Sequence, residues 1–406
     1  MTVVKASSAS AAITDTARAE HHRWLLECTP IPTASGRERR GIEWIERWVS
    51  ERETLRLTRD AIGNLVIAFA TPPKKAGRPI YVTAHLDHPA FVVSRELGPQ
   101  TVELTFRGGV MDDYFVGSCV RLHPDDASPV EGAIVEQLET AKGDDKRFVV
   151  ELDGPCDGAM GSVATWALDD AAIEDGILRT AACDDLAALV AALAMMDELA
   201  NRHASGTRVE DVRLLFTRAE EVGFVGAIGA CKHGTIPSDA RVIALENSRA
   251  FADAPLGGGP IVRVGDRLSI FSPALTGAIN KRAEEIAGGS APTASEKHAD
   301  APAWKWQRKL MAGGACEASV FCAHGLEATC VCLPLGNYHN MANLDAVQAG
   351  DANAKASIER EFIAISDFDG MVDLLVACGE HLPAAGGLSD RLDGLWKKRK
   401  PLLDER

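Results

Sequence analysis

The chain has 406 residues, a net charge of −15, and 46% hydrophobic and 25% charged residues. These values suit two to three globular units with a sizeable core, and the negative charge argues against nucleic acid or an anionic membrane as the main partner. No apolar run approaches the ~20 residues of a membrane span, and MTVVKASSASAAITDTARAEHH lacks the apolar centre of a secretory signal. The ten cysteines are spread thinly, with no C-x-x-C pair. A disulfide framework is not expected, and reduced thiols in a cytoplasmic protein are. Cys330 and Cys332 alternate on an apolar stretch and read as small buried hydrophobes.

In chain order, TASGRERRGIEWIERWVSE reads as a helix. Ser35 and Glu38 have the spacing of a capping box, and Ile42, Ile45 and Trp48 form a helical stripe. DAIGNLVIAFA suggests a turn entering a strand, and RPIYVTAHLDH a short strand ending at His85. From about Val93 to Leu178 the texture changes to short β-like runs (TVELTF, SCVRLH, EGAIVEQL, RFVVEL) between Gly, Asp and Pro turns. The one helix-like stretch there is ATWALDDAAIED. A small all-β unit inserted into a larger domain is expected. The division is residues 1–92 and 179–406 for the larger domain, and 93–178 for the insertion.

Helical and strand patterns then alternate. DDLAALVAALAMMDELANR is apolar on several faces and should be a largely buried helix. VRLLFT is a strand, EVGFVGAIGACKHG a turn and helix, ARVIALE a strand, CEASVFCAHG a helix and ATCVCLP a strand. A long last helix is expected from about Asn353 to Cys378, and the tail RLDGLWKKRKPLLDER is charged. The fold class is therefore α/β: a mostly parallel sheet flanked by helices, a three-layer sandwich, with an inserted barrel-like domain.

Five acidic or histidine sites fall at the C-terminal ends of expected strands: His85 with Asp87, Asp184 with Asp185, Glu220 with Glu221, Glu246, and His339 in LPLGNYHNM. Ligands of open α/β sheets bind beyond those ends. Each site alone has an ordinary explanation, such as a helix cap for Asp184-Asp185 or a solvated pair for Glu220-Glu221. Together they offer two imidazoles and several carboxylates, a donor set suited to a pair of borderline cations such as zinc.

The stretches DAIGNLV, AHLDHPAFVV, ACDDLAAL, FTRAEEVGFVGA, ALENS, GGACEAS and LPLGNYHNM resemble the glutamyl aminopeptidase / tetrahedral aminopeptidase family of dinuclear metallopeptidases (clan MH), in that family's order. The resemblance implies a two-metal aminopeptidase acting on peptides, with two divalent ions, zinc first and cobalt or manganese as alternatives. It implies His85 and Glu246 on one metal, Glu221 and His339 on the other, and Asp184 bridging both. Asp87 would orient His85, and Glu220 would be the general base. The Asp184–Asp185 bond is often cis in the clan, and homo-oligomers such as dimers or dodecamers are usual.

The chain departs from the family at Leu186, at His88-Pro89-Ala90, at Ala315-Cys316-Glu317 and in having Glu246 where Asp is more usual. Glu317 is a candidate partner for the substrate's α-ammonium group, against the plainer reading of a helix N-terminal charge. The competing functions are a deacylase or dipeptidase of the same clan, and a non-catalytic peptide-binding relative.

Overall fold

A computed structural model describes residues 12–74, 77–156, 158–291, 304–384 and 388–403. Its largest sheet has eight strands in the order Leu55–Arg59, Leu65–Phe69, Val212–Thr217, Ile80–His85, Arg241–Arg249, Glu327–Leu335, Ile261–Asp266, Gln307–Met311. The sheet is mixed, not mostly parallel. Its four central strands, Val212–Thr217 to Glu327–Leu335, are mutually parallel. Leu65–Phe69 and Ile261–Asp266 join them antiparallel on either side. The parallel core reflects crossover connections through helices, whereas Leu55–Arg59 and Leu65–Phe69 meet across a short turn that permits only antiparallel pairing.

Alternation along the central strands feeds two cores. Val82, Ala84, Leu214 and Phe216 face the larger cluster with the helices Asp15–Cys28, Arg39–Ser50, Leu186–Ala204 and Ile365–Glu380. Tyr81, Leu215 and Val242 face the opposite way, toward Val225–Lys232 and Glu317–Ala323. The period of two of a strand places successive side chains on opposite faces, so helices cover both faces. Leu186–Ala204 is buried from Leu186 to Met196 without interruption, as its all-round apolar pattern required.

The strands from Ala90 to Trp166 close into a six-stranded antiparallel barrel. Phe91, Phe106, Phe115, Phe148 and Trp166 fill it, with Phe115 stacked on Phe148 at 4.4 Å. The next strands, Ala172–Glu174 and Ile177–Thr180, form a small sheet with Glu361–Ala364. Two sequence expectations fail here. ATWALDDAAIED is strand, Val163–Trp166 followed by Ala172–Glu174. The last long helix begins only at Ile365, because Glu361–Ala364 is drawn into pairing with Ile177–Thr180. Cross-strand partners outweigh local propensity in both cases. The tail forms an exposed helix, Leu388–Arg399. The first eleven residues, part of the stretch screened for a signal, lie outside the described residues. Among the described residues no helix is long and apolar enough to cross a membrane.

Candidate metal centre

The five site motifs converge on one cleft of about 560 Å³, lined by His85, Asp184, Glu220, Glu221, Glu246 and His339. All but Asp184 reach it from the C-terminal half of a central strand or the loop that follows; Asp184 comes from the loop after Ile177–Thr180 of the small sheet. His85 ends its strand, Glu246 lies in the C-terminal half of Arg241–Arg249, and His339 follows Glu327–Leu335. Asp184 precedes the helix Leu186–Ala204, and the Asp184–Asp185 peptide bond is cis.

Both imidazoles are held in one tautomer. His85 Nδ1 donates to the Asp87 carbonyl at 2.9 Å, and His339 Nδ1 donates to the Gly109 carbonyl at 2.6 Å. A carbonyl can only accept, so in each neutral ring Nε2 carries the free lone pair. His85 Nε2 stands 3.3 Å from Asp184 Oδ1. His339 Nε2 stands 3.4 Å from Asp184 Oδ2 and 3.5 Å from Glu221 Oε1. Two ligands at ~2.0–2.1 Å from a tetrahedral ion are about 3.3–3.4 Å apart, so these separations fit a shared cation.

The donor atoms fall into overlapping groups within 4.8 Å of one another: His85, Asp184, Asp185 and Glu246; Asp184, Glu221 and His339; and His85, Glu220 and Glu221. Asp184 belongs to the first two groups and offers a different oxygen to each histidine. Asp184 Oδ1 and Glu221 Oε1 are buried without a hydrogen-bond partner, a costly state unless a cation meets them. Sequence reasoning had left Asp185 out of the donor set. Its Oδ2 accepts the His85 N–H at 3.2 Å.

The electrostatics agree. Burial pushes Glu220, Glu221 and Glu246 well above the ordinary carboxylate range, and neighbouring carboxylates add to the shift. Burial alone would raise Asp184 too, but the His339 and His85 imidazoles outweigh it and hold that group below its usual range. His85 is raised despite burial, by the charge of Glu220 and by hydrogen bonding to Asp184 and Asp87. Without a cation the cluster is short of positive charge. Two divalent ions fit the donor set, its geometry and its orphaned oxygens.

The turn that carries Glu220 and Glu221 is held by residues far away in sequence. The Asp87 carboxylate stands beside His85, its Oδ1 3.6 Å from Nδ1, and its hydrogen bonds go elsewhere. It accepts the Glu220 N–H at 2.9 Å, the Glu221 N–H at 3.2 Å and the Ser35 hydroxyl at 2.5 Å. Ser35 and Glu38 are therefore no capping box. Glu38 accepts the Ala219 N–H at 3.1 Å and two bonds from the Arg218 guanidinium at 2.9 and 2.8 Å. Asn64 of DAIGNLV takes the Arg218 N–H on its Oδ1 (3.1 Å) and donates to the Gly226 carbonyl (3.0 Å). Three motifs thus clamp one loop from both ends. Ala219 adopts φ +53° within it, a conformation held only where the surroundings over-determine it.

Gly226 closes this loop. A Cβ there would stand 2.5 Å from both Arg218 N and Arg218 O. Backbone cannot yield as a side chain can, so Gly226→Ala is expected to destabilise the fold by about 1–3 kcal/mol and to lower activity by displacing Glu220. Urea unfolding beside steady-state kinetics checks this; unchanged values in both would contradict it.

Glu317 is buried, accepts from Thr83 Oγ1 at 3.2 Å and does not line the cleft, so it is not placed to meet a substrate's ammonium group. Burial raises it to about 7. His88 bridges the Asp184 carbonyl and Asn340 Oδ1, and burial lowers it to about 4.

Residues 159–352 match the family model described as M42 glutamyl aminopeptidase. A search of curated protein sequences finds no match. Among solved structures, the aminopeptidase APDkam598 from the archaeon Desulfurococcus kamchatkensis shares the fold at a TM-score of 0.68 and 18% identity. The alignment covers 89% of this chain and 95% of that one. The TET1 peptidase of Pyrococcus horikoshii gives 0.68 at 20% identity, covering 89% and 100%. A TET aminopeptidase from a marine sediment Thaumarchaeota archaeon gives 0.68 at 15%, covering 89% and 97%. The family match over residues 159–352, just under half of the chain, and the shared fold agree with the resemblance that the sequence motifs carry.

Proposed function

We propose that this chain is a dinuclear metallo-aminopeptidase that removes N-terminal residues from peptides at the cleft around Asp184. The observation that carries this is the sharing of Asp184 by two donor groups, with its two oxygens 3.3 and 3.4 Å from the imidazoles of His85 and His339. In this reading His85, Glu246 and Asp184 hold one ion, and Asp184, Glu221 and His339 the other. Zinc suits the mixed N and O donors best, with cobalt or manganese as substitutes. When bound, the cations would supply Lewis acidity and acidify a water between them.

This chain's own residues do the rest. Glu220 lines the cleft with its Oε2 4.0 Å from His85 Nε2, and it is the carboxylate left over once the ligands are assigned. It takes the proton of the attacking water and passes it to the leaving amine. Asp87 fixes the direction of Glu220 and Glu221 by holding both their N–H groups, so that one faces the cation and the other the water. Arg263 is buried in the cleft wall and pairs with no carboxylate among the described residues, which supports acceptance of an acidic N-terminal side chain. The larger domain, residues 1–92 and 179–406, supplies the donors, and the insertion supplies the Gly109 carbonyl. The neighbour from Pyrococcus horikoshii assembles into a tetrahedron or an octahedral shell, which supports a homo-oligomer here.

Cleavage of aminoacyl-p-nitroanilides, with glutamyl and leucyl substrates beside N-acyl amino acids, tests this function. Release from the former alone is expected, and activity confined to N-acyl substrates would mean a deacylase. Glu221→Ala and His339→Ala should each bind about one ion fewer per chain by elemental analysis. Unchanged metal content would remove them from the ligand set.

A further inference from the structure

Glu361 belongs to no motif read in the sequence, yet it meets both halves of the site. It is fully buried. Its Oε2 accepts the N–H of Cys183 at 2.7 Å and of Asp184 at 2.9 Å, and its Oε1 accepts the N–H of His339 at 2.8 Å. Burying a carboxylate is costly unless its oxygens are filled, and here three backbone donors fill them. Its place in the fold explains the reach. Glu361 opens the strand that pairs with Ile177–Thr180, in register with Thr180, so it lies beside the chain leading to Asp184. Its neighbour Phe362 exchanges both backbone bonds with Gly336, which leads to His339. A Cβ on Gly336 would meet the Phe362 ring at 2.1 Å, so this approach requires glycine.

The loop bearing His339 needs such a fastening. His339 has φ +53° and Asn340 φ +64°, conformations that non-glycine residues keep only under external constraint. Asn340 adds a brace to the same segment, donating from Nδ2 to the Ala181 carbonyl at 2.9 Å and the Glu359 carbonyl at 3.2 Å. By contrast, neither hydrogen bond that aims His85 involves Glu361. Its N–H goes to Asp185 and its Nδ1 to the Asp87 carbonyl.

We propose that Glu361 is a positioning residue that ties the Asp184 and His339 backbones into one unit and thereby sets the ion position formed by Asp184, Glu221 and His339. The inference rests on the dinuclear reading above. Glu361 touches no ion and no substrate; it acts through two of the three donors of that position and only one donor, Asp184, of the other. Its loss therefore weakens the second ion far more than the first.

Glu361→Gln keeps size and shape but turns one oxygen into an NH₂ group, which faces a backbone N–H. The full chain, stripped of metal with a chelator, is titrated with Zn²⁺ against a chromophoric chelator, with circular dichroism and urea unfolding of the metal-free protein alongside. Wild type is expected to bind two ions. The variant is expected to stay folded, bind the first ion with near wild-type affinity, and bind the second about 10–100-fold more weakly. Wild-type affinity for both ions in the variant overturns the inference. So does equal weakening of both steps, or loss of the metal-free fold in step with binding, since each would make Glu361 a general strut. Fewer than two ions in wild type would instead overturn the dinuclear reading on which the inference stands.

Discussion

Replacing Glu220 by Gln lowers turnover by about 10²–10⁴-fold, the usual worth of a positioned general base, while the protein keeps about two metal ions per chain. The amide has nearly the volume of the carboxylate and still fits the wall of the cleft, but it cannot take a proton from water. Glu220 differs from Glu221 in this respect. Glu221 Oε1 is 3.5 Å from His339 Nε2 and without a hydrogen-bond partner, the state of an unfilled ligand. Glu220 is 4.0 Å from the nearest imidazole nitrogen. Kinetics with metal analysis on one preparation decide the matter. A Gln variant with full activity excludes Glu220 as the base, and one that has lost its metal shows it to be a ligand.

Stripping the divalent ions with a chelator lowers stability, and the loss grows as pH rises from 6.5 to 8.5. Glu220, Glu221, Glu246 and Asp185 all lie well above the ordinary range when no cation is present, because burial disfavours their charged forms. A group raised on folding stabilises the fold below its unfolded pKa and loses that contribution as pH climbs through its folded one. His85 is raised as well and acts with the same sign. Glu317, pushed by burial up to about 7 from the ordinary carboxylate range, completes most of its loss by pH 7 and part of it above.

Below pH 6.5 the buried His21 and His88 and the part-buried His123, lowered to about 4, act in the opposite direction, so the window is chosen above them. The metal-free chain is expected to lose about 1 kcal/mol or more per pH unit, since one group titrating fully accounts for about 1.4 kcal/mol per unit. Bound cations offset the clustered negative charge. Saturating Zn²⁺ should flatten the profile and add about 3 kcal/mol at a free concentration of 100 times Kd. Urea midpoints at the two pH values, with chelator and with Zn²⁺, measure this. A metal-free profile that is flat or rises with pH would show that the carboxylates ionise freely in the fold.

The donor set was legible in the sequence because most members end or closely follow an apolar run with a strong strand pattern. VRLLFT and VIAL announce burial, and acidic residues directly after such runs stand out. The clamps around them were not legible. Ser35 and Glu38 have the spacing of a helix cap, but their side chains bond to Asp87, to the Arg218 guanidinium and to the Ala219 N–H. Glu361 lies in a segment whose local pattern suggests helix, and only its pairing with Ile177–Thr180 turns it toward Asp184 and His339. Glu317 follows Gly313-Gly314, which do line the cleft, yet its carboxylate is buried against Thr83.

By itself the sequence determined the α/β class, the inserted β unit and the six cleft residues, since periodicity and strand-end chemistry are local properties of the chain. The tertiary structure decided how the sheet mixes its strand directions and which tautomer each histidine keeps. It also decided that a barrel carbonyl aims His339, and that Asp87 and Glu361 grip backbone instead of metal or substrate. The contacts of His339, Asp87 and Glu361 join residues 22 to 230 positions apart. Such contacts are set by the packing of whole elements, and no local pattern encodes them.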